Sequence, residues 1–405
     1  MTARRGDDRP WEAAADRGPD IDPDRHGPLI WVLQGHRTGD NLQLAALARA
    51  LGWRWQARAL AWRRPLPVWT PFYGRAAGLR WLTAASRAAM RPPWPDLVLS
   101  IGWRSVPVAR WIGRRTGARL VHLGRPRAPF GAFDLILSTP QYQLPAAGNV
   151  VALTGPLRTH DARDLAAAAA RWAPRLASLP RPWLAVLVGG DTPRARLAPA
   201  AAAAWAARCS AQAVAQGGAL LVATSPRTPP QVADAVFSSI GAPAFRYRWG
   251  DGGENPYAAF LALADGFAVT GDSVSMSQEA ASTGRPLHVF PLQDTDSRLR
   301  RALRGIGRGL FATDAAMAGP MAGLMAGPMA GLVAGPMAGL VAGLVRAGIV
   351  YPPRAPEAYF ARLQARGAAG PLGVAVAAPP NGAADMARAV QAVRALFDAP
   401  CAPGR

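Results

Sequence analysis

Apolar runs without regular polar alternation recur in the first part of the chain, and segments with helical spacing separate several of them. The runs are residues 28–35 (PLIWVLQG), 95–102, 118–124, 133–139 and 149–155. Helical spacing follows the first run over residues 42–53 and the second over 106–117. Strands that are apolar on both faces are typical of a parallel sheet covered by helices on both sides. The pattern predicts a Rossmann-like domain over residues 28–156.

The same pattern begins again after an alanine-rich stretch, residues 161–177, which predicts a linker helix within 157–180. Strand-like runs occupy residues 183–190, 218–225, 244–250, 266–271 and 285–292, and helical spacing occupies 197–216, 229–239, 256–264 and 275–283. We therefore expect a second Rossmann-like domain over residues 181–312. The predicted fold is α/β, with two doubly wound domains that face each other across a cleft.

Three further segments do not share this pattern. Residues 1–27 mix acids with arginine and proline and contain no apolar run, so they predict a disordered tail rather than a signal or transit peptide. Residues 313–346 contain an eight-residue repeat, from Met317 to Leu344, with glycine every four residues and proline every eight. That spacing predicts a low-complexity insertion with no stable helix or membrane span. Residues 347–405 form a C-terminal segment with a closing helix over 384–397.

The amino-acid composition and the absence of several motifs argue against a number of functional classes. The 405 residues include two cysteines, Cys209 and Cys401, and five histidines, so neither a disulfide framework nor a metal site is expected. All 46 basic residues are arginine, which is typical of GC-rich coding and accounts for part of the net charge of +21. The motifs GxGxxG, GxxxxGK[ST] and GxSxG are absent from the sequence, which argues against dinucleotide binding, ATP binding and a serine hydrolase.

The charge is concentrated in one region, residues 41–133, which has sixteen arginines and one acid, Asp96. Tryptophans alternate with arginines there, as in Trp53, Arg54 and Trp55. Such a region suits an anionic membrane surface or single-stranded nucleic acid, or it is a solvated basic face whose tryptophans belong to the core. Of the two partners we expect the membrane surface and no nucleic acid. The protein is expected in the cytoplasm, peripheral on the inner membrane if that surface is its partner.

Small polar residues follow the predicted strands of the second domain, where ligands of open α/β sheets bind. The candidate nucleotide-sugar site consists of Gly189, Gly190, Asp191, Thr192, Ser225, Arg227, Gly271, Asp272, Ser273, Ser275 and Glu279. We expect Gly271 to let the backbone approach a ligand, and Ser273 or Ser275 to cap the following helix. Ser275 and Gln278 have the spacing of a capping box.

In this interpretation, the amides of that helix start bind a diphosphate together with Arg227, and Glu279 accepts hydrogen bonds from ribose hydroxyls. Asp272 would repel a phosphate. It fits better as an acceptor for a sugar hydroxyl or as a simple N-cap. The competing interpretation is that these residues only build caps and tight turns.

The first domain supplies candidates for the acceptor side, in the segments QGHRTGDN (34–41) and SIGWRS (100–105). His36 and Asp40 are the candidate catalytic residues, because either would take a proton from an acceptor hydroxyl. The candidate acceptor-side residues are Gly35, Gly39, Asn41, Gly102 and Arg104. No metal and no cofactor other than the nucleotide-sugar substrate is expected.

Several stretches resemble the mitochondrial-fission (elongated mitochondria) family, which belongs with the GT-B glycosyltransferases. They are WVLQGHRTGDNLQLAALARALG, PDLVLSIGWRSVPVARW, LGRPRAPFGAFDLILSTPQYQLP, RPWLAVLVGGDTPRARL and NPYAAFLALADGFAVTGDSVSMSQEAASTGRPLHVF. The resemblance covers roughly residues 28–300 and does not extend to the tail, the repeat or the last fifty residues. It implies that TGDSVSMSQEA is the nucleotide-binding loop and helix start, with Glu279 near the ribose.

Three functions remain open at this point. The first is a glycosyltransferase that uses a nucleoside-diphosphate sugar, with a lipid-linked molecule or an envelope glycan as candidate acceptor. The second is a nucleotide-sugar epimerase of the same architecture, which needs more acids and histidines than the first domain offers. The third is a non-catalytic, membrane-associated adaptor, the role in which plant members of the family are implicated.

Overall fold

The computed structural model describes residues 27–63, 79–157, 160, 162–192, 195–294, 336–352, 354–374, 376 and 383–398. Within these residues the chain forms two parallel sheets. The strands of the first sheet are β1 (Ile30–Gln34), β2 (Trp55–Ala59), β3 (Leu97–Ile101), β4 (Arg119–Leu123), β5 (Leu135–Ser138) and β6 (Val150–Ala152). Their order is β2-β1-β3-β4-β5-β6, and each pair is parallel.

Helices cover both faces of the first sheet. They include α1 (Thr38–Leu51), α2 (Ala84–Ala88) and α3 (Val106–Thr116). Leu44 and Leu47 of α1 pack in one apolar cluster with Ile30 and Val32, whereas Ile112 of α3 packs in another. Burial on both faces explains why the strands read as continuous apolar runs in the sequence.

The second sheet follows the same plan. Its strands are β7 (Trp183–Val188), β9 (Ala219–Thr224), β10 (Ala244–Tyr247), β11 (Gly266–Thr270) and β12 (Leu287–Phe290), in the order β10-β9-β7-β11-β12. The helices are α4 (Ala162–Leu176), α5 (Pro199–Ala215), α6 (Pro230–Ser238), α7 (Tyr257–Leu263) and α8 (Val274–Ala281). A short antiparallel pair, β8 (Ala195–Arg196) and β13 (Gln293–Asp294), lies outside this sheet. The predicted α/β fold with two doubly wound units is confirmed.

Two local expectations about the first sheet were wrong. Strand β2 was not predicted, because it is an edge strand in which Gln56 and Arg58 interrupt the apolar pattern. Helix α1 begins at Thr38, within the segment predicted as a loop. The side chain of Asn41 accepts from the Gly35 amide at 2.8 Å and donates to the Gly35 carbonyl at 2.9 Å, which closes the turn early.

The C-terminal segment contributes helices to both sheets. These are α9 (Pro336–Arg346), α10 (Pro356–Ala365) and α11 (Ala383–Asp398). Val345 of α9 and Val393 of α11 belong to the two apolar clusters of the first sheet, whereas Tyr359 of α10 belongs to the core of the second. The chain after the second sheet therefore passes from the first sheet to the second and back.

Helix α9 corrects the prediction that the repeat forms no stable helix, because residues 336–344 of the repeat are helical. Proline is tolerated at the first position of a helix, and Pro336 stands there. Each interior glycine costs about 1 kcal/mol relative to alanine. Burial of Val345 and packing of Val341 against the first-sheet core offset that cost. Residues 317–335 of the repeat lie outside the described residues.

Asp385 in the first turn of α11 fixes the segment that leaves the first sheet. Its carboxylate accepts hydrogen bonds from the Thr154 amide at 2.8 Å, from the Thr154 hydroxyl at 2.5 Å and from the Gly155 amide at 3.1 Å. A Cβ atom on Gly155 would lie 2.1 Å from Oε1 of Gln278 in α8. The segment that follows β6 is therefore held between a helix of the first sheet and a helix of the second.

Each described tryptophan of the region 41–133 is buried or half-buried. Trp55 packs in the core, and the Trp53 ring lies 5.1 Å from the Phe397 ring. The described indoles therefore stabilise the fold of this region, whereas Arg64 and Trp69 lie outside the described residues. An anionic membrane surface as partner stays a prediction. No described helix has the length and apolar character required to span a bilayer.

A buried histidine gives the first sheet a pH-dependent stability. Nδ1 of His122 in β4 lies 2.9 Å from the Ser100 hydroxyl oxygen. Burial lowers the pKa of this side chain to about 3, against about 6.5 in an unfolded chain. The unfolded chain therefore binds a proton at a higher pH than the folded chain does. The contribution of His122 to stability is fully present above about pH 6.5 and is lost progressively as the pH falls toward 3.

We expect wild-type protein to lose about 2 kcal/mol more unfolding free energy than a His122→Leu variant between pH 7 and pH 5. Urea unfolding of both proteins at the two pH values measures the difference. The variant retains every other titrating group, so it serves as the reference for their effects. Equal losses in the two proteins would contradict the inference.

Candidate functional site

The loops after β7, β9 and β11 meet at one edge of the second sheet, because these strands are neighbours in the order β9-β7-β11. Asp272 lies at the centre of this edge, and its side chain is 0% exposed. Its carboxylate accepts from the Gly190 amide at 3.0 Å and from the Thr270 hydroxyl at 2.7 Å. Nη2 of Arg227 lies 2.7 Å from the same carboxylate. The three predicted loops are thus joined through one buried charge.

The glycines after β7 allow the three loops to lie this close together. The Gly189 amide donates to the Thr270 hydroxyl at 2.7 Å. A Cβ atom on Gly189 would lie 2.1 Å from Oδ1 of Asp272, and one on Gly190 would lie 1.9 Å from the Arg227 carbonyl oxygen. Both amides are satisfied by the chain's own side chains. These partners come from the neighbouring loop after β11, and the sequence does not reveal how close the two loops are.

Other residues of the predicted site also have local roles. The Thr228 hydroxyl accepts from the Ser225 amide at 2.9 Å and donates to the Gly189 carbonyl at 2.5 Å. Asp191 accepts from the Leu197 amide at 3.1 Å, and the Thr192 hydroxyl lies 3.3 Å from the Ala195 carbonyl. Asp191 and Thr192 therefore shape the turn that leads into β8.

Helix α8 begins at this edge with Ser273 as its N-cap, whose hydroxyl accepts from the Met276 amide at 3.4 Å. Asp272 is therefore not the cap. The predicted Ser275–Gln278 capping box is not formed, because Ser275 lies inside the helix and Oε1 of Gln278 accepts from the Tyr359 hydroxyl at 2.7 Å. The Gly271 amide donates to the Phe290 carbonyl at 2.8 Å, so its close approach is to β12.

Glu279 lies one turn beyond Ser275 on the same face of α8. The Tyr257 hydroxyl of α7 donates to Oε2 of Glu279 at 2.5 Å. Burial raises the pKa of Tyr257 well above its usual value, and the negative charge of Glu279 raises it further. Tyr257 thus remains a hydrogen-bond donor that orients the glutamate. The ring of His160, in the linker, lies 6.2 Å from the Tyr257 ring.

A polar cavity of about 30 Å³ lies between the two sheets. Its polar lining from the first sheet and the C-terminal segment consists of Asp40, Gln43, Thr139, Gln141, Tyr142 and Arg354. Ser275, in the first turn of α8, lines it from the second sheet. The cavity therefore brings one predicted catalytic residue, Asp40, and one residue of the predicted nucleotide-sugar site, Ser275, to one place.

Asp40 has the electrostatic properties of a proton acceptor. Burial raises the pKa of its carboxyl group, and the cations of Arg37 and Arg354 oppose this rise. Burial also raises the pKa of Tyr142, which keeps its hydroxyl group protonated. Arg354 is held in place by Oε1 of Gln141, which accepts from Nε at 3.0 Å and from Nη2 at 2.8 Å.

The other predicted site residues of the first sheet are not among the residues that line the cavity. His36 is exposed and is absent from the described residues that line the cavity. Burial, Arg104 and Arg37 lower the pKa of His36, so the imidazole is neutral at pH 7. Gly39 is exposed, and Gly102 has a φ of +74°, which favours glycine in the turn after β3. Of the two predicted catalytic residues, the structure places Asp40 in the cavity.

Tyr142, Gln141, Arg354 and Tyr257 were not predicted from the sequence. Gln141 and Tyr142 follow β5, so the rule that ligands bind beyond strand carboxyl ends would have found them. Among the described residues no strand leads directly into the segment of Arg354, so this rule gave no signal for it. Among the described residues, no cluster of three or more His, Cys, Asp or Glu side chains can hold a metal. The thiol of Cys209 is buried, and burial raises its pKa to about 12.

We expect Asp272→Asn to lower the free energy of unfolding by about 2 kcal/mol, because an amide replaces a buried carboxylate that three loops share. Thermal or urea unfolding measures the change. Asp234→Asn is the matched control, since Asp234 pairs with Arg248 at 2.6 Å but is 67% exposed. Its cost should stay below about 1 kcal/mol. Equal losses in both variants would show that Asp272 does not hold the loops together.

Comparison with known proteins supports a family assignment. Residues 38–312 match the family described as Mitochondrial fission ELM1. The chain is 27% identical to the Mitochondrial fission protein ELM1 of Arabidopsis thaliana over 238 residues, which are 53% of this chain and 55% of that protein. It is 24% identical to an uncharacterized protein of Rickettsia prowazekii over 299 residues, which are 64% of this chain and 82% of that protein. The chain thus spans about half the length of the Arabidopsis relative.

Solved structures with similar architecture include two sugar-nucleotide enzymes. A UDP-glucosyltransferase from Polygonum tinctorium has a TM-score of 0.44 at 11% identity, over 92% of this chain and 99% of that one. A UDP-GlcNAc 2-epimerase from Neisseria meningitidis, bound to UDP-GlcNAc, has a TM-score of 0.40 at 11% identity, over 68% of this chain and 86% of that one. The family match, which includes both parallel sheets almost entirely, identifies this chain as a member of the Mitochondrial fission ELM1 family.

Proposed function

We propose that this protein is a glycosyltransferase that takes a sugar from a nucleoside-diphosphate donor and transfers it to a hydroxyl group. One observation carries the proposal: Asp40 from the first sheet and Ser275 from the second line the same polar cavity. A base on one side and a helix start on the other are the two groups that such a transfer requires.

The donor side is the start of α8. The first four amides of a helix have no partner within the helix, and the helix dipole favours negative charge there. The diphosphate lies against this turn, which includes Ser273 and Ser275. Arg227 is 45% exposed, so its guanidinium reaches a ligand while it stays paired with Asp272. Glu279, oriented by Tyr257, accepts hydrogen bonds from the ribose hydroxyls.

The acceptor side is the carboxyl edge of the first sheet. The Asp40 carboxylate takes the proton from the acceptor hydroxyl as its oxygen forms a bond to the anomeric carbon. The bond between that carbon and the diphosphate oxygen breaks, and the nucleoside diphosphate leaves with the electron pair. Donors at the start of α8 stabilise the negative charge that develops there. Attack from the face opposite the leaving group inverts the configuration at the anomeric carbon.

The nucleotide half of the proposal is tested by thermal unfolding with UDP, GDP, CMP and ADP. We expect one nucleotide to raise the melting temperature, because a ligand that binds only the folded state stabilises it. Glu279→Gln should weaken that nucleotide by about tenfold, since one charged hydrogen-bond acceptor is lost. Glu357→Gln, an exposed change of the same kind on α10, should leave the affinity unchanged. Indifference to all four nucleotides would favour the adaptor.

The catalytic half is tested with Asp40→Asn. Loss of the base should reduce sugar transfer by about 10²–10⁴-fold and leave the nucleotide-induced rise in melting temperature intact. In the wild type, the rate should increase with pH through the raised pKa of Asp40, because only the carboxylate accepts the proton. Release of nucleoside diphosphate across pH measures both effects, with Asp398→Asn as the exposed control. Isomerised donor sugar without release of nucleotide would show an epimerase instead.

A further inference from the structure

Arginines converge on the carboxyl edge of the first sheet from four separate stretches of chain. Arg37 follows β1, Arg104 follows β3, Arg125 and Arg127 follow β4, and Arg354 precedes α10. Strands β1, β3 and β4 are adjacent and parallel, so their carboxyl ends meet at one edge. We call these five residues the basic edge.

Contacts with shared neighbours connect the members of the basic edge. The guanidinium groups of Arg104 and Arg127 each lie 5.4 Å from the centre of the Trp103 ring, so one indole positions two cations. Nη1 of Arg104 lies 3.4 Å from Nδ1 of His36. Arg127 has a φ of +50°, a left-handed conformation that residues other than glycine seldom adopt, and its carbonyl accepts from the Tyr351 hydroxyl at 3.0 Å.

The remaining members, Arg37, Arg125 and Arg354, lie near the cavity, and Arg354 lines it. The charges of Arg37 and Arg354 act on Asp40, and those of Arg354, Arg125 and Arg37 act on Tyr142, in each case against the rise in pKa that burial causes. Three members of the basic edge, Arg37, Arg125 and Arg354, therefore act on the side chains beside which we propose that the acceptor hydroxyl is deprotonated.

Acidic residues of the first sheet lie mostly elsewhere. Between residues 28 and 133 the sequence has two acids, Asp40 and Asp96. Asp96 accepts from the Leu29 amide, just before β1, and Asp134 pairs with Arg119 at the start of β4. Asp96 and Asp134 thus lie at the amino edge of the sheet, where they do not neutralise the basic edge. Asp40 is the acid that the sequence supplies beside these arginines.

Two hydrogen-bond donors of the basic edge lack an acceptor in the part of the chain that the structure describes. Nε of Arg104 and Nε of Arg127 are buried, and neither has a hydrogen-bond partner among the described residues. A buried donor without a partner costs about 1–3 kcal/mol. Guanidinium groups form paired hydrogen bonds to phosphate with matching geometry, so these two arginines are suited to bind one.

We propose that the basic edge binds a phosphate group of the acceptor, which makes the acceptor of the proposed transfer a phosphate ester. This inference rests on the proposed function, because it gives the basic edge and Asp40 one shared substrate. Arg104 and Arg127 hold the phosphate, and the free hydroxyl of the same molecule points toward Asp40. The phosphate belongs either to a soluble ester or to a lipid headgroup.

The test is calorimetric titration of the full chain with inorganic pyrophosphate. The solution contains a saturating amount of the nucleotide that stabilises the protein, so that the donor side is occupied. We expect the double variant Arg104→Gln/Arg127→Gln to weaken pyrophosphate binding by about tenfold or more. The control is Arg87→Gln/Arg114→Gln, which removes two exposed arginines of α2 and α3 and has the same net charge. It should bind as the wild type does.

A second arm separates the two sources of phosphate. Sedimentation with phosphatidylcholine vesicles that contain phosphatidic acid tests the lipid source, with pure phosphatidylcholine vesicles as the blank. Vesicle binding that only the Arg104→Gln/Arg127→Gln variant loses identifies a lipid phosphate, and pyrophosphate binding alone identifies a soluble one. The inference is overturned if wild type binds neither probe, or if both double variants lose binding equally.

The same variants separate this inference from the proposed function. If Arg104→Gln/Arg127→Gln keeps the nucleotide-induced rise in melting temperature and loses pyrophosphate, the two sites are distinct, as proposed. If no nucleotide stabilises the wild type but pyrophosphate binds through these arginines, the anion site stands and the transferase proposal fails. Unfolding temperatures without ligand show whether each variant is folded.

Discussion

The second sheet depends on one buried carboxylate at its carboxyl edge. Parallel strands end in loops that have no hydrogen-bonded ladder, and three such loops must lie side by side to form a site. Asp272 joins them, because it accepts from Gly190 and Thr270 and pairs with Arg227. A carboxylate is suited to this position because it accepts several hydrogen bonds at once and carries the charge that Arg227 balances. Glycine is required at residue 189 for the same reason, since a Cβ atom there would lie 2.1 Å from Oδ1 of Asp272.

The strands and helices could be predicted from the sequence because the burial of each element is visible in its own pattern of apolar residues. A strand such as β7, with all six residues buried, appears as an apolar run, and each of its neighbours does the same. The exceptions are elements whose formation depends on contacts with distant parts of the chain. Strand β2 lies at an edge and carries polar residues, and α9 forms despite its glycines because Val345 is buried in another part of the fold.

The candidate site could be predicted only in part. The carboxyl-end rule located Asp40, Ser275 and Glu279, because position along a strand or helix determines their place. Which atoms are free for a ligand could not be predicted, since the amides of Gly189 and Gly190 are occupied by partners some eighty positions away in the sequence. Arg354 shows the same limit, because it enters the cavity from a segment that follows the whole second sheet.

The order in which the chain visits the two sheets restricts how the protein can be divided. It changes sheet at residues 153–161, again between 294 and 336, and twice more around α10. A fragment that ended after β6 would lack Ala389 and Val393, and the apolar faces of Leu44 and Leu47 would be left open to water. The strands and helices that precede residue 153 are therefore not a self-sufficient folding unit. Proteolytic removal of the last helix would expose apolar residues of the first sheet to water and so promote aggregation. This dependence exists although the helix begins more than two hundred residues after the sheet ends.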